Sequence, residues 1–428
     1  MPTTVQGFAK LGVAVVLHLL LQFLFQWVLL TQCGAGRETD LFFGTFAIPQ
    51  FVLLVLSSSL TMVLIPYFSA LSLEQRRAET WSYLQWMGLA FGGLALLMAL
   101  TSSLWLGWLL PGFSGTDQSA AQQLLTIQLA TMVFSAVLAV QWAFHSAEGN
   151  FVRIETTGIL AHGLALLVMW FLLPDGGVVV AAWISLARAI LQNVLLLPGI
   201  GRYQSTQSSP ALQANWRKWR PLIAGNLYVK TDTLVDRALS STALTGDLTL
   251  LNLAQQLYNM GNTVMSKVLV NTLLPKLSQL GAESHQQAFR QVFMRRWWVL
   301  TLASVGVYVG LLLLGKPMLE WFFAVKSMRA EDIARLWWLL VLLGGLWIGG
   351  LLGSLTSSAF YAVGDTQTPT WMTVVLYTLY VPLKFWAFYR WGMEGLAISI
   401  SGYYLLSVGI QLLLLYRKGL APAWMIRR

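Results

Sequence analysis

The segment Leu64-Ile65-Pro66-Tyr67-Phe68-Ser69-Ala70-Leu71 returns past the midpoint of the chain as Leu273-Leu274-Pro275-Lys276-Leu277-Ser278-Gln279-Leu280. Pro66 and Pro275 are the same number of residues apart as Ser69 and Ser278. A second pair, Ala147-Glu148-Gly149-Asn150 and Ala362-Val363-Gly364-Asp365, repeats at a similar separation. The sequence therefore predicts two like halves, an arrangement that lets one half of a transporter rock against the other around a central cavity.

The composition is that of a membrane protein. Hydrophobic residues make up 57% of the 428 residues and charged residues 10%, against about 25% charged in soluble domains. Runs of about 20 apolar residues, each long enough to cross a bilayer, recur along the whole chain. We predict an all-α protein with twelve spans, at 8–31, 41–70, 81–110, 121–146, 152–173, 177–199, 220–242, 248–277, 294–315, 334–362, 369–390 and 394–416.

The basic residues indicate the orientation of these spans. The net charge is +10, and with twelve spans most Lys and Arg residues fall in loops on the side of the two termini. This bias is typical of cytoplasmic loops, so we expect a multi-pass membrane protein with both termini in the cytoplasm. The net positive charge thus reflects the orientation of the spans in the membrane, and nucleic acid is not expected as a partner.

A polar stretch separates the two halves. Residues 201–214 are rich in Ser and Gln, a composition typical of a linker. We predict an N-terminal six-helix lobe at 1–200, a cytoplasmic linker at 201–216 and a C-terminal six-helix lobe at 217–428. Because six is even, both lobes enter the membrane from the same side, so the repeat is parallel.

Polar residues inside the spans predict a shared wet cavity, because ionisable and polar groups are costly in hydrocarbon. At about 100° per residue, three spans each carry a polar stripe along one face. These stripes consist of His18, Gln22 and Gln26 in span one, Ser185, Arg188 and Gln192 in span six, and Asn252, Gln256, Asn259, Thr263 and Lys267 in span eight.

Span seven has two charged faces. Asn226, Lys230 and Arg237 share one side, and Asp232 and Asp236 share another. A basic face and an acidic face on one helix could bind a ligand and form an ion pair independently. For Arg188 and for the pair of Asp236 and Arg237, a purely structural role stays an alternative.

Two other intramembrane groups have simpler interpretations. Lys384, late in span eleven, is expected to snorkel to the interface. His18 is either a packing residue or a proton carrier.

Several kinds of chemistry have no signature here. The sequence contains no phosphate-binding loop with Lys and Ser or Thr, no cluster with metal-ligand spacing and no evident Ser-His-Asp arrangement. We therefore expect neither an enzyme nor a bound cofactor or metal.

Four segments resemble the MurJ (MviN) family of lipid II flippases, within the multidrug/oligosaccharidyl-lipid/polysaccharide exporter superfamily. The most specific is 360–369, Phe-Tyr-Ala-Val-Gly-Asp-Thr-Gln-Thr-Pro. The others are 34–40 with Ile48-Pro49, the tripeptide 235–237, and 270–278.

The resemblance implies two lobes around a cationic cavity, and movement of undecaprenyl-pyrophosphate-linked saccharides to the outer leaflet of the bacterial cytoplasmic membrane. The expected partners are thus a lipid-linked oligosaccharide, membrane lipids and, as a further option, proteins of cell-wall or polysaccharide synthesis. In this interpretation each candidate residue has a role. Arg188, Lys230 and Lys267, assisted by Arg237, hold the pyrophosphate; Gln22, Gln26, Asn252, Gln256 and Asn259 line the saccharide path; Asp40 and Asp236 hold the outer gate, and Asp232 is a coupling-ion site.

The sequence also departs from the family pattern. Cavity positions that carry arginine in the peptidoglycan branch correspond here to neutral residues near Leu19, Phe25, Leu53 and Gln256. This favours another polyprenyl-linked saccharide, such as an exopolysaccharide repeat unit, and lipid II stays open. The alternatives are a cation-coupled drug exporter of the same superfamily and a non-transporting scaffold for polymer synthesis.

Overall fold

The computed structural model describes residues 5–203, 223, 227–270, 273, 277, 279–280, 286–323 and 328–420, with backbone alone for 5–10, 56–62, 267 and 268. All regular structure within these residues is helical. The helices are α1 (Val5–Cys33), α2 (Arg37–Ser69), α3 (Leu73–Leu109), α4 (Thr116–Ala147), α5 (Phe151–Ile200), α6 (Asp232–Ser241), α7 (Asp247–Met265), a π-helical segment (Ser266–Val270), α8 (Gln286–Phe322), α9 (Ala330–Leu342), α10 (Gly344–Ala362) and α11 (Gln367–Arg417).

Seven of the described helices are long and apolar enough to cross a membrane, and the bent pair α9 and α10 adds an eighth span. Helices α5 and α11 contain 50 and 51 residues, or about 75 Å at 1.5 Å per residue. That length is more than twice a hydrocarbon core of about 30 Å. Each is therefore a pair of spans, and each breaks at a glycine with positive φ, Gly177 (57°) and Gly392 (59°).

Contacts across each break show that the two segments fold back on one another. A Cβ atom at Gly199 would lie 2.8 Å from a guanidinium nitrogen of Arg153, so the ends of α5 meet. In α11 the rings of Tyr380 and Tyr403 stack with centroids 4.5 Å apart. The predicted span pairs 152–173 with 177–199 and 369–390 with 394–416 are thus confirmed as helical hairpins.

The predicted repeat appears in the backbone as well as in the sequence. Gly177 and Gly392 are separated by the same number of residues as Gly149 and Gly364, whose φ angles are 75° and 78°. The turns before the two hairpins also match. Asn150 donates its N–H to the His145 carbonyl at 2.9 Å, and Asp365 donates to the Phe360 carbonyl at 3.0 Å. Both are the long bond that closes a helix in the Schellman motif.

By its internal contacts the chain divides into an N-terminal unit, Met1–Leu248, and a C-terminal unit, Thr249–Arg428. In the N-terminal unit α4 packs against α2, α3 and α5, α1 packs against α5, and α6 packs on α2. The attachment of α6 is the reason that this division falls at Leu248. The predicted linker, whose residues 204–216 lie outside the described part, stays a prediction.

The C-terminal unit is built on α10, which packs against α8 and α11. Its core includes the buried side chains of Phe289, Phe293, Leu351 and Phe360. The predicted span 334–362 is bent by 41° between α9 and α10, where two glycines allow neighbours to approach the backbone closely. A Cβ atom at Gly344 would lie 2.2 Å from the ring of Tyr308.

The predicted span 248–277 also differs from a continuous α-helix. Helix α7 ends at Met265 and a π-helical turn follows it. Because a π turn changes the angular spacing of side chains, the helical register that grouped Asn252 with Lys267 does not continue past Met265.

Candidate substrate path and outer gate

Asp40 connects two distant parts of the N-terminal unit. Its carboxylate is buried and accepts a hydrogen bond of 2.6 Å from the backbone N–H of Gly246, 206 residues further along the chain. Gly246 has a φ of 92°, and a Cβ atom there would lie 2.9 Å from the carbonyl oxygen of Ala35. The turn before α7 is thereby held against the loop between α1 and α2.

A second set of contacts holds the loop between α3 and α4 in the same region. Arg37 donates hydrogen bonds of 2.9 and 2.6 Å to Asp117 and one of 2.6 Å to the carbonyl of Gly112. The N–H of Gly112 donates to the hydroxyl of Ser241 at 3.2 Å. A Cβ atom at Gly112 would lie 1.6 Å from the Ser241 carbonyl oxygen, so glycine is required for this contact between the loop and α6.

Arg237 and Asp236 on α6 are both buried. The guanidinium of Arg237 lies within electrostatic range of Asp236 and Asp40. These two carboxylates compensate its charge inside the unit. The structure thus places Arg237 among the predicted gate residues.

Arg188 and Lys230 differ from Arg237 in their surroundings. Both side chains are partly exposed, and Arg188 lies on the second segment of α5, where it is electrostatically coupled to His162. Within the described part of the chain, neither side chain has a hydrogen bond or ion pair to another residue. An uncompensated cation inside a membrane protein normally faces water or a ligand.

The polar stripe of α7 faces away from the packed core of the C-terminal unit. Asn259 is exposed, and Asn252 and Gln256 are half-buried. On the opposite face Ala254 is buried, and the buried Tyr258 donates a 2.6 Å hydrogen bond to the carbonyl of Leu340 on α9. This arrangement keeps the amides of the predicted saccharide path accessible.

The stripe of α1 contains a hydrogen-bonded group that includes an unforeseen residue. Nδ1 of the buried His18 lies 2.7 Å from a carboxylate oxygen of Glu155 on α5, and its Nε2 lies 3.2 Å from the amide nitrogen of Gln22. Gln26 is half-buried one turn further along α1. The one indication of Glu155 in the sequence is that it is an acidic residue inside predicted span five.

The comparison with known families covers almost the whole chain. The family profile described as Lipid II flippase MurJ matches residues 29–427. The chain belongs to the MurJ family. It is similar to a probable lipid II flippase MurJ of Vibrio cholerae, at 22% identity over 408 residues, which cover 90% of this chain and 77% of the relative.

Two solved structures share the fold of this MurJ-family chain. Lipid II flippase MurJ in an inward closed conformation has a TM-score of 0.83 at 18% identity, covering 96% of this chain and 88% of that one. An inward-facing multidrug resistance MATE family transporter of the MOP superfamily has a TM-score of 0.77 at 14% identity, covering 94% of each chain. The predicted fold class is thereby confirmed, and the family assignment identifies a membrane transporter of the flippase type.

Three further predictions have different outcomes. The expectation that Lys384 reaches the interface is wrong, because its side chain is completely buried and its ammonium group lies 4.8 Å from the ring centre of Tyr380. An aromatic face can compensate a cation that cannot reach water. Asp232 is half-buried at the first turn of α6. Asn226 and the side chain of Lys267 lie outside the described residues.

Proposed function

We propose that this protein moves an undecaprenyl-pyrophosphate-linked saccharide from the cytoplasmic to the outer leaflet of the bacterial cytoplasmic membrane by alternating access. Membership of the MurJ family supports a flippase, and the observation that supports an anionic substrate is the uncompensated guanidinium of Arg188. Lipid II and an exopolysaccharide repeat unit are both substrates of this class.

The chemistry of the substrate explains why such cations are needed. A pyrophosphate and its saccharide cannot cross about 30 Å of hydrocarbon without replacement of their hydration. Arginine offers paired N–H donors to phosphate oxygens, and lysine offers a compact positive charge. These groups are supplied by Arg188 and Lys230, with Lys267 as a further candidate. Hydrogen bonds to the saccharide hydroxyls are made by the side-chain amides of Gln22, Gln26, Asn252, Gln256 and Asn259.

The contacts around Asp40 support a closed outer gate. In the proposed topology the α1–α2 and α3–α4 loops lie on the outer side, because the first span begins in the cytoplasm. Asp40 joins the start of α2 to the turn before α7, Gly112 joins the α3–α4 loop to Ser241 on α6, and Asp236 and Arg237 lie in the same charged group as Asp40. Opening toward the outside requires these contacts to break together.

We propose that transport is not driven by nucleotide hydrolysis in this chain. The sequence contains no phosphate-binding loop, so an ion gradient, the membrane potential or consumption of the product must supply direction. Asp232 stays a candidate coupling-ion site. In this scheme the protein is a transporter, not an enzyme, and its termini face the cytoplasm.

Complementation tests the proposal in cells. A bacterium depleted of its own lipid II flippase is supplied with this chain, or with its Arg188→Gln or Lys230→Gln variant, at matched membrane levels. Rescue that is lost in both variants identifies a lipid II flippase with these cations as pyrophosphate ligands. Failure of rescue favours a different polyprenyl-linked saccharide, and rescue that is independent of both cations contradicts their assignment.

A further inference from the structure

The N-terminal unit contains a group of four ionisable side chains between α1 and the two segments of α5, of which His18 and His162 are buried. His18 lies against Glu155 at 2.7 Å, and its ring forms an edge contact with the ring of His162, with centroids 4.9 Å apart. Arg188 is within electrostatic range of His162. The group thus combines two imidazoles, one carboxylate and one guanidinium.

The backbone of α5 is shaped to admit the His18 ring. A Cβ atom at Gly158 would lie 2.3 Å from Cε1 of that ring, so any larger residue would displace it. Gly158 also accepts a 2.9 Å hydrogen bond from Nδ1 of His162 through its carbonyl oxygen. One turn of α5 therefore positions both imidazoles.

The hydrogen bonds around His18 can accommodate two protonation states. In one arrangement the Gln22 amide nitrogen donates to Nε2 of His18, and Nδ1 of His18 donates to the Glu155 carboxylate. In this arrangement His18 is neutral. If a proton binds to Nε2, rotation of the Gln22 amide presents its oxygen as an acceptor, and no hydrogen bond is lost.

The site also has a route to water. The side chain of Glu155 is 20% exposed, whereas that of His18 is 7% exposed. On the other side of the ring Gln22 is half-buried, so the proton that Nε2 takes up can come from water beside this amide.

The surrounding helices contribute few other charges. Between Leu11 and Gln32, α1 has no ionisable residue apart from His18, and α2, which also contacts α1, has no charged residue after Asp40. On α5 the charged residues near this group are Glu155, Arg188 and Arg153. Arg153 lies beside a different pair of the same unit, formed by His145 and Glu148. The charged residues next to the two imidazoles are thus Glu155, beside His18, and Arg188, beside His162.

We propose that His18 and Glu155 form a proton-binding site whose occupancy controls the affinity of the protein for a pyrophosphate anion. This inference rests on the proposed function, because it takes Arg188 to be a pyrophosphate ligand. Without the proton, this group of four side chains contains one negative charge, on Glu155, and one positive charge, on Arg188. A proton taken from water onto Nε2 of His18 raises the net charge by one, so the anion binds more tightly. By linkage, the bound anion retains the proton to the same extent.

Histidine NMR tests the site itself in the absence of any substrate. The chain has four histidines, so each labelled imidazole signal of the full protein in nanodiscs can be assigned from a single His→Gln variant. We expect the His18 signal of the wild type to change with pH and Glu155→Gln to alter that change. Glu148→Gln, which alters the pair with His145 at 3.8 Å, is the matched control and leaves the response of His18 as in the wild type.

Binding of farnesyl pyrophosphate, with farnesol as the uncharged control, tests the linkage. In the wild type the affinity falls on the order of ten-fold as the site loses its proton. Glu155→Gln removes the opposing charge and holds affinity high at every pH, whereas His18→Gln leaves Glu155 ionised and holds it low. General damage to the fold would move both variants in the same direction.

The outcomes separate this inference from the proposed function. A His18 signal that does not titrate, or pH-dependent affinity that survives in both variants, overturns the proton site. A titrating His18 in a protein that binds no farnesyl pyrophosphate at any pH keeps the proton site, and it overturns both the linkage and the pyrophosphate ligands of the proposed function.

Discussion

The carboxylate of Asp40 accepts a hydrogen bond of 2.6 Å from the backbone N–H of Gly246, which makes an early side chain the anchor of a turn in the second half of the chain. Hydrogen bonds to a buried charged group contribute about 1.5–3 kcal/mol. This single contact is therefore large enough to control whether the proposed outer gate stays closed.

Replacement of Asp40 by Asn is expected to loosen this gate. Cys33, the sole cysteine, is half-buried at the end of α1, next to Gly34, whose carbonyl accepts a hydrogen bond from Thr39 at 3.1 Å. We expect Asp40→Asn to increase the rate of Cys33 labelling by a membrane-impermeant maleimide about ten-fold or more.

The matched control for this experiment is Asp175→Asn, the same chemical change at an exposed carboxylate near the turn of α5. It should leave the labelling rate unchanged. An equal rate in wild type and Asp40→Asn would show that the hydrogen bond to Gly246 does not limit opening.

Gly112→Ala is expected to destabilise the N-terminal unit. The added methyl group would lie 1.6 Å from the carbonyl oxygen of Ser241, so the α3–α4 loop must move away from α6, at a cost of about 1–3 kcal/mol. Unfolding followed by tryptophan fluorescence should show a lower midpoint. Gly107→Ala adds a methyl group with no neighbour closer than 3.9 Å and should not lower it.

The two hairpin glycines should respond alike if the halves are true repeats. At Gly177 and Gly392 a Cβ atom finds no close neighbour, so alanine is penalised by the backbone conformation alone (φ near 60° with ψ of −155° and −140°), by about 1–3 kcal/mol. We expect equal losses of stability from the two substitutions. Gly163→Ala and Gly402→Ala, in open helical positions of the same hairpins, provide the controls; a loss confined to one half would contradict equivalent turns.

Asp365 is expected to stabilise the start of α11 in a pH-dependent way. Its carboxylate accepts hydrogen bonds from Lys418 and from the N–H of Thr368. Burial would raise the pKa of Asp365, but these two partners outweigh it and lower the pKa to about 2. Since the folded state has the lower pKa, the contribution is complete above about pH 4 and is lost as the pH falls toward 2.

The comparison of wild type with Asp365→Asn isolates that contribution. The stability difference measured by chemical unfolding should be constant near neutral pH and should shrink between about pH 4 and 2. Lys418→Met removes the main partner and should reduce the difference made by Asp365→Asn. A difference that is the same at every pH would exclude an ionic role for Asp365.

The sequence predicts the helices and their duplication because hydrophobic length and local motifs encode them. Gly149 and Gly364 mark equivalent turns in the two halves. Contacts such as that of His18 with Glu155, 137 residues apart, depend on which helix faces are neighbours, and hydrophobic periodicity does not specify this.

The same limit explains the incorrect expectation for Lys384. Its place late in a span indicated an accessible interface, whereas the packing of α11 encloses it beside Tyr380. Conversely, Arg188 and Lys230 were selected as intramembrane cations, and the structure adds that neither side chain has a protein anion as partner in the described part of the chain. That information comes from three-dimensional contacts.

The most direct measurement is the flipping of a fluorescent undecaprenyl-pyrophosphate-linked disaccharide in liposomes that contain the purified protein, compared with the same lipid linked through a single phosphate. We predict protein-dependent flipping of the pyrophosphate lipid, slower flipping of the monophosphate lipid, and loss of that preference in the Arg188→Gln variant. Equal flipping of both lipids, with no effect of Arg188→Gln, would contradict recognition of the pyrophosphate by this guanidinium.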